Sequence, residues 1–165
     1  MMRKRGKKRA ASDFSAVLTY ALRLLSRRMY TVREMEVKLK GRGCPDEVAQ
    51  EVLAYLQERG YLDDRFYAHL WVERRLDLKP MGRRRLAWEL KQKGVPEEVV
   101  AEALAEVTAE EEEEERALRL VARRFSLPEE REKAGAFLWR RGFSPEVINR
   151  VLRRLTEEKG DNSPS

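Results

Sequence analysis

Between Arg74 and Lys93 stand eight basic side chains: Arg74, Arg75, Lys79, Arg83, Arg84, Arg85, Lys91 and Lys93. Only Asp77 and Glu89 oppose them. An arginine fork matches the two oxygens of a phosphate or carboxylate, and lysine adds a compact positive charge. The chemistry on offer is therefore anion recognition, and the fitting partner is a nucleic-acid backbone or an acidic protein face. Arg27 and Arg28 form a similar pair earlier in the chain. The plainer alternative for all ten is a solvated helix face.

Bond-making chemistry finds no comparable support. His69 is the one histidine and Cys44 the one cysteine, so no cluster of transition-metal ligands and no intrachain disulfide can form. A phosphate-cradling GxxxxGK[ST] loop is absent. Asp63 and Asp64 would suit acid–base or metal work as a pair, but they open a predicted helix, where a carboxylate caps free amides. Trp71, Trp88 and Trp139 have faces that stack on nucleic-acid bases. Their amphipathic surroundings predict core packing instead, and Tyr55, Tyr61 and Tyr67 are read in the same way. The expectation is a protein that is not an enzyme and uses no cofactor and no metal.

Charge is unevenly placed. Apolar residues make up 42% of the 165 and charged residues 39%, enough for a core beneath a densely charged surface. Net charge is +6, and the first ten residues alone hold six basic side chains. The remainder is balanced, 29 basic against 29 acidic, and includes the six-acid run Glu110 to Glu115. That run reads as the solvated first turns of a helix, with Thr108 and Glu111 as a capping box; an acidic strip that masks the basic surface is the alternative. No apolar run approaches the length of a membrane span, and no apolar stretch follows the basic N-terminus as a secretory signal requires. With a single cysteine, a reducing compartment, the cytoplasm, is expected.

The elements that must position these side chains are all helical. Three segments align on a glycine: KLKGRGCPDEVAQEVLAYL on Gly43, WELKQKGVPEEVVAEALAEV on Gly94 and AFLWRRGFSPEVINRVLRRL on Gly142, spaced 51 and then 48 residues. Leu39, Leu90 and Leu138 lie four residues before these glycines, and Leu53, Leu104 and Leu152 ten residues after. The pattern is a helix stopped by glycine, a proline that restarts the chain, and a second helix with one apolar face. A third helix precedes each pair, marked by Arg27-Arg28, Arg74-Arg75 and Arg123-Arg124. Capping boxes are expected at Thr31 with Glu34 and Ser126 with Glu129, and single caps at Asp63 and Ser144.

The predicted fold is thus all-α: three tandem three-helix, helix-turn-helix-like repeats in an elongated, curved array. The predicted boundaries are a basic disordered tail over 1–13, repeats over 14–62, 63–109 and 110–158, and a flexible end over 159–165.

The stretch GYLDDRFYAHLWVERR, followed by KPMGRRRLAWELKQKGV, resembles the centre of the RecX family, regulators of the RecA recombinase. The resemblance is carried by Gly60, Tyr61, Leu62, Asp63 and Asp64, then Phe66, Ala68, Arg74, Arg75, Gly82, Glu89, Leu90 and Gly94. ALRLLSRRMYTVREMEVKL is similar to the family's first repeat, and the likeness runs over about residues 16–155. It implies a monomeric, non-enzymatic modulator that binds in the groove of the RecA–DNA filament. Such a protein restrains ATP hydrolysis, strand exchange and coprotease activity in DNA repair, recombination and the SOS response, and touches DNA weakly and without sequence preference. The basic tail and the run Glu110 to Glu115 depart from the family pattern. The competing expectation is a repressor that reads duplex DNA through its helix-turn-helix units. Acidic second helices such as PEEVVAEALAEV, which phosphate repels, argue against it.

Overall fold

In the computed structural model the described residues are 3–107 and 109–160; for residues 3–12, 107, 110, 111, 159 and 160 only the backbone is described. Among them are nine α-helices and no strand. They are α1 (Arg3–Leu25), α2 (Val32–Gly41), α3 (Asp46–Glu58), α4 (Asp64–Leu78), α5 (Arg83–Gln92), α6 (Glu97–Val107), α7 (Glu110–Val121), α8 (Arg131–Arg140) and α9 (Pro145–Gly160). The expected tails over 1–13 and 159–165 fall almost wholly outside the described side chains. The helical backbone begins at Arg3 and ends at Gly160.

Local chemistry explains where the helices start and stop. At α2 the Glu34 amide donates to Thr31 Oγ1 and the Thr31 amide to Glu34 Oε2, each at 3.1 Å, so the predicted capping box is formed. Asp63 Oδ1 accepts from the Phe66 amide at 3.1 Å, and Ser144 Oγ from the Val147 amide at 3.3 Å. Such caps contribute about 1 kcal/mol each. Past the helix ends, Gly43, Gly94 and Gly142 take φ of 81°, 79° and 85°, a region in which a Cβ is strained. This turn lets the Cys44 amide reach Leu39 O and the Phe143 amide reach Leu138 O, both at 3.2 Å, satisfying carbonyls the helix leaves open. The aligned leucines behave as their spacing predicts: Leu39, Leu90 and Leu138 have no exposed surface, and Leu53, Leu104 and Leu152 are buried.

By compactness the chain divides into Met1–Tyr67 with Gln92–Pro96, and Ala68–Lys91 with Glu97–Ser165. The core of the first unit is built from Val17, Ala21, Met35, Leu39, Ala49, Val52, Leu53, Leu56 and Leu62, with Phe14 and Tyr55 meeting edge to face at its margin. The Thr31 hydroxyl, fully buried, donates to Lys93 O at 2.7 Å. Beside it the Val32 amide, one of the orphan donors of α2, donates to Asp64 Oδ1 at 3.0 Å. The aspartate pair therefore caps two helices: Asp63 its own, and Asp64 the start of α2. Burial raises the Asp64 pKa; the Val32 amide opposes this, while Asp63 and Glu34 reinforce it.

In the second unit the same stitch recurs at the equivalent positions. Gly82, Arg83 and Arg84 stand 51 residues after Thr31, Val32 and Arg33. The Gly82 amide donates to Arg141 O at 2.9 Å and the Arg84 amide to Gly142 O at 3.1 Å. The Arg83 amide donates to Glu113 Oε1 at 2.9 Å. A Cβ on Gly82 would collide with the Gly142 carbonyl and the Phe143 nitrogen, so main chain lies directly on main chain there. Around α7, α8 and α9 the core gathers Ala117, Val121, Ala134, Leu138, Phe143, Val147, Val151 and Leu152.

Several expectations are corrected. Trp88 and Trp139 are not core residues: they are 53% and 49% exposed. Trp88 lies just over half a turn away from Leu86 and Leu90, which carry the buried stripe of α5, and Trp139 flanks the stripe of Ala134, Phe137 and Leu138. Tyr61 and Phe66 are also exposed, while Leu62 and Tyr67 are buried. Ser126 and Glu129 form no capping box. Leu127 turns into the core, α8 starts only at Arg131, and Glu130 Oε2 accepts the Ser126 amide instead. The acidic run is not merely solvated: Glu113 is buried on the Arg83 amide, and Glu114 and Glu115 pair with Arg150 and Arg154 of α9 at 3.1 and 2.9 Å. The expected Thr108–Glu111 box lies outside the described side chains.

The Gly82 contact gives a direct test. Because backbone cannot move aside as a side chain can, Gly82→Ala is expected to lower stability by about 2–3 kcal/mol. Gly41→Ala, at a helical glycine with nothing near the new methyl, is expected to be neutral or to stabilise by up to about 1 kcal/mol. Denaturant midpoints of the two variants check this.

Candidate functional site

Glu89 is the carboxylate around which the second unit's basic residues are arranged. It lies on the buried stripe of α5 between Leu86 and Leu90 and is 8% exposed. A lone carboxylate there would be costly, and four donors satisfy it. Arg75 of α4 grips it with both arms, Nε to Oε2 at 2.8 Å and Nη2 to Oε1 at 2.7 Å. Arg85, one turn earlier on α5, adds Nε to Oε1 at 3.1 Å, and the Trp71 indole adds Nε1 to Oε2 at 3.2 Å. Burial pushes the Glu89 pKa up, but the hydrogen bonds from Arg75 and Arg85, the charge of Arg75 and the Trp71 bond outweigh it, so the group sits below its ordinary value. Reciprocally, the hydrogen bond to Glu89 holds Arg75 above its ordinary value against the effect of burial.

The knot aims two of its arginines into a cleft of about 450 Å³ lined by Arg75, Lys79, Met81, Arg85, Arg124, Phe137, Arg140 and Arg141. Six of these eight are cations, and one buried carboxylate neutralises part of their charge from behind. Phe137 forms an apolar floor on which two of them lie: the Arg124 guanidinium is 4.7 Å and that of Arg141 5.0 Å from its ring centroid. Arg141 Nη1 also donates to Pro80 O at 3.4 Å. Stacking and hydrogen bonding leave the guanidinium planes with few orientations, which lowers the ordering cost of gripping a phosphate or carboxylate.

The sequence-nominated cations divide accordingly. Arg75, Lys79 and Arg85 line the cleft. Arg84 lies over the Trp139 ring at 3.9 Å, Lys91 pairs with Glu97 at 2.8 Å, and Arg83 offers its amide to Glu113. Arg74 is exposed on α4. Three others belong to the first unit. Arg27 is exposed, Arg28 pairs with Glu34 at 3.2 Å and lies over the Tyr30 ring, and Lys93 Nζ is 3.6 Å from Glu34. Arg124, Arg140 and Arg141 were missed. Their signal was present, in the Arg123-Arg124 pair aligned with Arg74-Arg75 and in the WRRG run before the turn glycine, but nothing local shows that they converge with α4 and α5.

Of the remaining motif residues, Tyr61 and Phe66 are exposed, and the others have places in the turns, caps and core. Gly60 closes α3 with φ of 73°, Leu62, Ala68 and Leu90 are core, and Gly94 admits Arg33 where a Cβ would stand. A second hollow of about 400 Å³ is lined by Leu76, Asp77, Pro80, Glu112, Arg116 and Arg119. Nε and Nη2 of Arg116 are buried there without hydrogen-bond partners. Burial, against the pull of Glu113 and Glu112, lowers its pKa. With two carboxylates in its wall, this hollow is less suited to an anion than the first. No helix among the described residues is long and apolar enough to cross a membrane.

Known proteins resemble most of the chain. Family models described as the first, second and third three-helix domains of RecX match residues 18–56, 63–104 and 110–152. The chain is 42% identical over 147 residues to "Regulatory protein RecX" of Thermus thermophilus, covering 89% of this chain and 96% of that one. It is 36% identical over 160 residues to the protein of that name from Halorhodospira halophila, covering 94% and 96%. The fold matches a crystal structure of RecX from Lactobacillus salivarius with a TM-score of 0.81 at 23% identity, over 88% of this chain and 97% of the other.

Glu89→Gln keeps the shape of the knot and removes its charge, and is expected to cost about 1–3 kcal/mol, moderated because Arg75 and Arg85 can turn to water. Since the Glu89 pKa is lowered by folding, its stabilisation is complete above the ordinary carboxylate range and is lost as pH falls through the depressed value. The stability gap between wild type and variant is therefore expected to be full at neutral pH and to close below the ordinary range, as read by urea unfolding across pH.

Proposed function

The chain belongs to the RecX family, and on that premise we propose that it binds the RecA–DNA filament and restrains the recombinase, ATPase and coprotease activities of RecA. It does so in the cytoplasm, as a monomer and without chemistry of its own. The observation that carries this reading beyond the family is the cleft, where six cationic side chains from two successive repeats meet. A filament groove presents DNA phosphates and acidic side chains, and both are ligands for preset guanidinium forks. Arg75 and Arg85 are aimed by Glu89, Arg124 and Arg141 by Phe137, and Lys79 and Arg140 stand exposed at the margin. Binding needs no rearrangement of the core, since Arg75, Arg85, Arg124 and Arg141 are already held from behind.

The test is RecA ATP hydrolysis on single-stranded DNA, titrated with this protein at substoichiometric to equimolar amounts. Wild type is expected to suppress turnover. Lys79→Glu combined with Arg140→Glu, both at exposed positions, is expected to raise the half-inhibiting concentration by about ten-fold or more with unchanged thermal melting. Binding by the variant is also expected to depend less steeply on salt. Full inhibition by the double variant would refute the role of the cleft, and no inhibition by wild type would refute the function. A repressor would instead protect a discrete duplex site and leave RecA turnover unchanged.

A further inference from the structure

The cleft of the second unit gathers its charge around a hollow. We propose that this hollow binds a short, free polyphosphate, either inorganic tripolyphosphate or the phosphate tail of a nucleoside triphosphate, and that the small ligand competes with the filament for the same side chains. The competition rests on the filament reading; the binding does not. The six cations come from four elements: Arg75 and Lys79 from α4, Arg85 from α5, Arg124 from the turn after α7, and Arg140 with Arg141 from the end of α8. Among the described residues Glu89 is the one carboxylate that pairs with any of them, so six positive charges less one leave five. Met81 and Phe137, both buried, supply apolar wall beside that charge. Low-dielectric walls lined by one sign of charge focus the field into the space between them.

Size and charge both point to a compact ligand. The volume of about 450 Å³ falls within the range of small-molecule sites, about 300–1,000 Å³. A nucleotide's triphosphate carries roughly four negative charges near neutral pH, one on each inner phosphate and about two on the last. That is close to the five positive charges left over. A single phosphate, with about two charges, leaves most of the lining unneutralised. The bridging oxygens let successive phosphates turn, so that each can face a different wall. Glu89 presets Arg75 and Arg85, and Phe137 presets Arg124 and Arg141, so little ordering is required on binding. A chain end also has no continuation that must be led out of the hollow again.

Isothermal titration calorimetry of the full chain tests this, without RecA or magnesium and at constant, near-physiological ionic strength. The probes are sodium tripolyphosphate, ATP, AMP and orthophosphate. Tripolyphosphate and ATP are each expected to bind about ten-fold or more tightly than AMP or orthophosphate. Lys79→Glu with Arg140→Glu is expected to weaken both by about ten-fold or more. Lys79→Gln with Arg140→Gln, which guards against misfolding, is expected to act in the same direction by a smaller factor. Lys38→Glu with Lys133→Glu makes the same charge change at exposed positions outside the cleft and is expected to bind as wild type does. The proposal is overturned if neither polyphosphate binds better than orthophosphate, if ATP binds and tripolyphosphate does not, if the cleft variants bind as wild type does, or if the control pair loses as much. Tripolyphosphate is further expected to displace the chain from a preformed RecA filament, and binding without displacement would overturn the competition. A chain that binds tripolyphosphate but neither joins the filament nor inhibits RecA would count against the filament reading alone, so the two failures are separable.

Discussion

A carboxylate buried among arginines is the constraint on which the second unit turns. Glu89 occupies a core position of α5 and cannot remain charged there without donors, so Arg75 and Trp71 of α4 and Arg85 of α5 must come to it. One requirement thus has two consequences. It locks α4 against α5 with a two-armed ion pair, and it fixes the direction in which two guanidinium groups leave the core. Arginines that would otherwise sample many rotamers are presented as a fixed pair, and the cleft takes shape around them. The apolar counterpart is Phe137, which holds Arg124 and Arg141 by their flat faces. The contacts that hold α4 against α5 thus also set the lining of the cleft.

The joins between successive repeats follow a second rule, seen in each unit. The second helix of a repeat begins with free amides, and the repeat that follows supplies both a carbonyl and a carboxylate to that end. Lys93 O accepts the Thr31 hydroxyl and Asp64 the Val32 amide, and Arg141 O and Glu113 accept the Gly82 and Arg83 amides. A helix terminus that would be left to water in an isolated repeat is thus completed by its neighbour. This gives chemical content to the nearest-neighbour stability of tandem arrays. It also explains two acidic features that are puzzling in isolation, the doubled aspartate at 63–64 and the acid run that opens α7. In each, one carboxylate serves the helix of the preceding repeat.

Direct contact of main chain with main chain at Gly82 and Gly142 makes the second join close enough for Arg85 and Arg141 to share a cleft. The same closeness brings Arg84 onto Trp139. A cationic cleft is assembled here from residues some sixty apart in sequence, by a contact that a methyl group on Gly82 would disturb.

The helices and their limits were legible in the sequence because their causes are local. Thr31 and Glu34 meet one turn apart, Gly43, Gly94 and Gly142 take a backbone shape that a side chain disfavours, and Leu39, Leu90 and Leu138 recur at the end of each aligned helix. The concentration of basic side chains between positions 74 and 93 was legible too, from composition alone. Which arginines face the cleft was not legible. Lys91 and Arg28 look as available as Arg75, yet Glu97 and Glu34 hold them. Arg140 and Arg141 look peripheral, yet they line the cleft. The tryptophans were misjudged because amphipathic spacing tells that a helix has a core face, while the rotation of that helix against its neighbours decides which residues fall on it. Identity and spacing along the chain determined the helices, the turns and where positive charge concentrates. Only packing in three dimensions decided which side chains converge, because charge and burial depend on distances that join remote parts of the chain.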